Sequence, residues 1–129
     1  MNTKIILTVS ALILGVLGIG MSFLPNEILK YLQIESNQIT IIFMQLLGAL
    51  YLGFGLLNWM AKGSIIGGIY NKPIAIGNFM HFGVGAIALL KIAFTVEGFK
   101  EIIIPLTIIY TIFAACYGYI FKANPSKVK

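Results

Sequence analysis

The 129-residue chain has no arginine, a single cysteine, and no carboxylate inside any of its long apolar stretches. One cysteine permits no internal disulfide and no thiol pair for redox exchange. Cys116 lies within an apolar segment, where a small packing residue is the default. Charge is scarce throughout. Nine lysines and four glutamates make up 10% of the residues, whereas a soluble domain carries about 25% to wet its surface. The net charge of +5 is no sign of nucleic-acid binding, because the lysines stand scattered at segment ends and form no basic stripe.

What remains is hydrocarbon: 59% of the residues are hydrophobic and the mean hydropathy is +0.96. Residues 5–24 are uncharged, opened by Lys4 and closed by Pro25. At about 1.5 Å per residue, such a helix crosses a bilayer core of about 30 Å. A secretory signal peptide is the rival reading, but its core is about 7–15 residues and ends at a small-x-small site. Here the exit reads Met21-Ser22-Phe23-Leu24-Pro25, so an uncleaved span is expected. Second, third and fourth spans are predicted over residues 39–61, 74–94 and 102–121. Trp59 suits the aromatic belt at the water boundary, and Pro105 is placed in the first turn of the last span.

In the connection 25–38, Ile28, Leu29 and Leu32 recur at helical spacing behind Pro25. A short helix is expected there, lying at the interface with its apolar face on the headgroup boundary. The glycine-rich stretch 62–73 is bracketed by Lys62 and Lys72 and has neither a GxxxxGK[ST] nor a GxGxxG pattern. It reads as a tight turn between antiparallel helices, and the tail 122–129 as a polar, basic end. The fold class is therefore all-α: a single membrane domain, a four-transmembrane-helix bundle with a short interfacial helix after the first span.

Four spans put the N-terminus, the middle loop and the C-terminus on one side. That side holds Lys4, Lys62, Lys72, Lys122, Lys127 and Lys129; the other holds Lys30, Lys91 and Lys100, with all four acids, Glu27, Glu35, Glu97 and Glu101. The lysine excess places both termini in the cytoplasm.

Polar side chains within hydrocarbon are costly and point to protein interior or to function. Counted from each span's midpoint, Asn58, Asn78 and His81 fall in the cytoplasmic half at ~4–12 Å depth, where the second and third spans can bring them together. Gln45 stands in the outer half, with Thr107 at similar height, and Thr8, Ser10, Cys116 and Tyr117 add weaker polarity to the cytoplasmic half. One reading is a polar pocket open to the cytoplasm, with His81 binding a ligand or a proton. The favoured reading is interhelical hydrogen bonding, with Asn, Gln and His joining helices. A lone histidine is short of the three or four ligands a metal site needs, and no span supplies a carboxylate partner for acid–base work. No catalytic residue, metal or cofactor is expected. Lys91, ~11 Å from the centre, should snorkel to the outer interface beside Glu97 or Glu101.

Small residues predict the packing faces. Gly77, His81, Gly85 and Ala88 share one face of the third span; Ala49/Gly53 and Ala114/Gly118 form small-xxx-small pairs on the second and fourth; the first offers Gly15, Gly18 and Gly20. The pattern suits a compact bundle and equally a homo-oligomer.

Several small membrane families are excluded by what the chain lacks. Small multidrug exporters need a carboxylate in the first span, disulfide-forming and vitamin K reductase-type proteins need paired cysteines, and fluoride channels carry an arginine-containing glycine motif. The run Gln45-Leu-Leu-Gly48-Ala-Leu-Tyr-Leu52-Gly53-Phe-Gly55-Leu56 resembles the second-helix pattern of DoxX-like small bacterial membrane proteins, in which a polar residue precedes a glycine and then a Leu-Gly-x-Gly-like run. The family pattern usually has an acidic residue where this chain has Gln45. The resemblance implies a four-helix bundle and supplies a fold more than a function. The expected role is that of a non-enzymatic multi-pass protein of the inner (plasma) membrane, accessory or binding a small apolar ligand, with the lipid bilayer and a second copy or a membrane protein as partners. Two alternatives remain: a subunit of an oligomeric transporter or channel lined by Gln45, Tyr51 and Asn58, and a lipid- or quinone-linked enzyme using His81 and Asn78.

Overall fold

A computed structural model describes residues 2–64 and 71–123, and every regular element among them is an α-helix. The helices are α1 (Thr3–Phe23), α2 (Pro25–Tyr31), α3 (Gln38–Ala61), α4 (Lys72–Ala93) and α5 (Lys100–Ala123). Four of them, α1, α3, α4 and α5, are long and apolar enough to cross a membrane. They match the four predicted spans closely and run a little past them into Lys4, Lys72, Lys100 and Lys122. Apolar runs mark the uncharged part of a helix, while the backbone ladder continues through lysine, a good helix former. The earlier start of α5 moves Pro105 out of the first turn into the helix interior. There it has no N–H to offer the i→i−4 ladder, a real cost where the first turn would have made it nearly free. The middle of the predicted glycine-rich turn 62–73 (residues 65–70) and most of the tail (residues 124–129) lie outside the described residues.

The chain divides into two compact units, one of residues 7–62 and the other formed by the described residues on either side of it. In the first unit α1 and α3 run antiparallel along a seam of small residues. A Cβ added at Gly18 would lie 2.7 Å from the Leu52 nitrogen and 2.9 Å from the Gly48 oxygen; one at Gly48 would lie 2.9 Å from the Gly18 oxygen. At Gly55 it would meet the Gly15 nitrogen at 3.0 Å and the Ala11 oxygen at 3.1 Å. Backbone meets backbone at these points, so no side chain can give way and glycine is required. The predicted pair Ala49/Gly53 is not this seam: both residues are exposed, and nothing described lies within 4 Å of a Cβ at Gly53. Gly48 and Gly55 are seven residues apart, two turns of one face, whereas a four-residue template selects the neighbouring stripe.

Asn37 caps α3 with a capping box: its Oδ1 accepts from the Ile39 and Thr40 N–H groups at 2.9 and 3.0 Å, and Thr40 Oγ1 accepts from the Asn37 N–H at 3.0 Å. The predicted short helix is α2, which ends in a Schellman turn: the Gln33 N–H donates to the Lys30 carbonyl and the Ile34 N–H to the Leu29 carbonyl, with Gln33 at φ 57°. Its apolar side is turned to protein, since Pro25 and Leu29 are buried and Ile28 reaches Gly20. Of the predicted apolar face Ile28, Leu29 and Leu32, Leu29 is buried against protein while Ile28 and Leu32 are half-buried.

In the second unit α4 and α5 run antiparallel. Ala75, Asn78, Phe82 and Ala86 form the buried face of α4, and Thr107, Tyr110, Phe113, Tyr117 and Ile120 that of α5. Phe82 is the centre. Its ring stacks on Phe113 at 4.9 Å and on Tyr117 at 5.8 Å, and meets Tyr110 edge-on at 5.1 Å. Glycines admit the rings at either side: a Cβ at Gly85 would lie 2.6 Å from Tyr110 Cε1, and one at Gly118 would lie 3.0 Å from Phe79 Cε2. The buried face of α4 is thus rotated by one residue from the predicted Gly77, His81, Gly85, Ala88 stripe, and Ala88 is exposed. Ala114 and Gly77 are half-buried. Large rings fill the middle, and the small residues flank it.

Candidate functional site

Each polar side chain singled out above has a definable place. Asn58, in the last turn but one of α3, is fully buried, and its Nδ2 donates to Ser10 Oγ of α1 at 3.1 Å. Ser10 is fully buried too and donates onward to the Leu7 carbonyl at 3.1 Å. This relay ties the two helices beyond the glycine seam. Leaving such a group unsatisfied would cost about 1–3 kcal/mol.

Gln45 is half-buried near the start of α3, and its Nε2 stands 3.5 Å from the Ser22 carbonyl, at the outer limit for a hydrogen bond. Ser22 Oγ is buried and has no hydrogen-bond partner among the described residues. It faces Gly48, where a Cβ would come within 2.5 Å of it. The glycine that lets α1 and α3 touch therefore also makes room for this hydroxyl.

In the second unit Asn78 is fully buried and donates to the Ile74 carbonyl of its own helix at 2.9 Å. His81 is half-buried; its Nε2 lies 3.2 Å from the hydroxyl of Tyr110, which is almost wholly buried on α5. The imidazole also meets Phe82 edge-on at 5.0 Å. Either ring can supply the proton of that bond, according to the histidine tautomer. Thr107 and Thr111 donate to carbonyls one turn back, at 2.6 and 2.8 Å.

Asn58 belongs to the first unit, Asn78 and His81 to the second. The bonds above stay inside each unit, joining α1 to α3 and α4 to α5. Ser10 and Tyr110 are the partners that residue-type reasoning underrates. Tyr110 was legible in principle: Thr107, Tyr110, Phe113, Tyr117 and Ile120 recur at spacings of three and four, the mark of one helical face. Lys91 and Glu97 form no ion pair among the described residues, so the expected partnership at that end is not made between them. No group of three His, Cys, Asp or Glu side chains that could hold a metal occurs among the described residues.

Chemically, the arrangement offers hydrogen bonds between neutral groups. A phenol and an imidazole share one proton across α4 and α5, and an amide and a hydroxyl do so across α1 and α3. Comparison with known proteins gives no match, whether to a family model, to a curated protein or to a solved structure.

Proposed function

We propose that the chain is a four-span integral protein of the inner (plasma) membrane, with both termini in the cytoplasm, working as a non-enzymatic accessory component. The carrying observation is where polarity is used. Asn58 is engaged by Ser10 and His81 by Tyr110, within helix pairs, while large apolar side chains face outward, with Phe23 and Met60 75% exposed and Phe94 87%. In water so extensive an apolar surface drives association. In a bilayer it is the wetted surface, and interior hydrogen bonds and close glycine contacts are what hold helices together. The distribution of lysines supports the orientation. The likeness of residues 45–56 to DoxX-like proteins supports a bacterial membrane setting and the same general class.

The test is to replace Asn58 and His81 by Ala, singly and together, and to follow unfolding of the purified chain in mild detergent. If these groups join helices, each change lowers stability by about 0.5–2 kcal/mol. Unchanged stability in all three variants would sink this reading and return the two side chains to ligand chemistry.

A further inference from the structure

The antiparallel pair α4–α5 is electrically lopsided. At one end stand Lys91, Lys100, Glu97 and Glu101, two cations balanced by two anions. At the other, Lys72 opens α4 and Lys122 falls in the last turn of α5, and no glutamate lies near either in sequence. The Lys72 ammonium sits 5.1 Å from the centroid of the Phe121 ring, which brings the two lysines to the same end of the pair. Neither has an ion-pair partner among the described residues.

We propose that this end of α4–α5 seats the phosphate of an anionic membrane phospholipid between Lys72 and Lys122. The inference rests on the membrane reading above. Helix α4 has no acidic residue in its first turn, and Asn71 gives it no side-chain cap. A lysine at that position is opposed by the helix dipole, so Lys72 raises an already positive potential. Phe121 holds the ammonium over its ring face, which steadies the side chain without neutralising its charge. Lys122, next to Phe121 in sequence, adds a second compact charge at the same end of the pair. Two ammonium groups suit phosphate as point charges, without the bidentate geometry of arginine. A zwitterionic lipid brings its own cation to the same place, so net charge favours an anionic headgroup.

The test uses the full chain in detergent, given equal phosphatidylglycerol and phosphatidylcholine, with retained lipid counted by native mass spectrometry. Wild type should retain phosphatidylglycerol roughly tenfold over phosphatidylcholine, and K72Q/K122Q should lose most of that preference. K91Q/K100Q and the charge-conserving K72R/K122R should keep it, and millimolar inorganic phosphate should not displace the lipid. An unaltered preference in K72Q/K122Q, or displacement by free phosphate, overturns the proposal. Equal retention of both lipids by wild type overturns it while leaving the membrane reading standing; retention of neither overturns both.

Discussion

Asn58 Nδ2 donates to Ser10 Oγ across 3.1 Å between two fully buried side chains forty-eight residues apart. The bond closes the end of α1–α3 where the glycine seam stops. Replacing Ser10 and Asn58 by Ala, singly and together, isolates their pairwise term. Unfolding in mixed micelles should give a coupling of about 0.6 kcal/mol, the average for interhelical hydrogen bonds in a membrane protein, and no more than about 1.7 kcal/mol. Strict additivity would mean that the bond contributes nothing to the fold.

The glycines of α3 should divide sharply. Gly48→Ala brings a Cβ against the Gly18 oxygen, at 2.9 Å, and the Ser22 backbone, so the helices must part and stability falls. Gly53→Ala meets nothing within 4 Å and exchanges a flexible residue for the best helix former, a gain of about 0.5–1 kcal/mol. Thermal unfolding of the two variants in one detergent reads the difference directly. Equal effects would contradict the seam.

Gln33 ends α2 in the left-handed region, at φ 57°, within the Schellman turn. Gln33→Gly removes the Cβ penalty and should raise stability by about 0.5–1 kcal/mol, while Gln33→Val should lower it. The unfolding midpoints of the two variants should move in opposite directions.

The four long apolar helices are legible in the sequence because an uncharged run of about 20 residues has few other uses. The phase of each helix was far less legible. A helix that is apolar all round carries almost no amphipathic signal, so nothing in it turns the choice from Ala49/Gly53 to Gly48/Gly55, and the predicted face of α4 lies one residue from Phe82. Partners were harder still. Asn58 and His81 stood out by residue type, but that Ser10 and Tyr110 complete their bonds depends on helix rotation, which three-dimensional packing decides. Pro105 was misplaced for a related reason, since charged residues Lys100 and Glu101 extend a helix that apolarity alone would start later.

The central claim, four crossings with both termini in the cytoplasm, is tested most directly by cysteine accessibility in intact cells. In a Cys116→Ser background, a single cysteine is introduced at Asn2 or at Gly98, the exposed positions beside α1 and between α4 and α5. A membrane-impermeant maleimide should label Gly98→Cys from outside and label Asn2→Cys only after the cells are opened. Outside labelling at Asn2, or at both positions alike, would contradict the account.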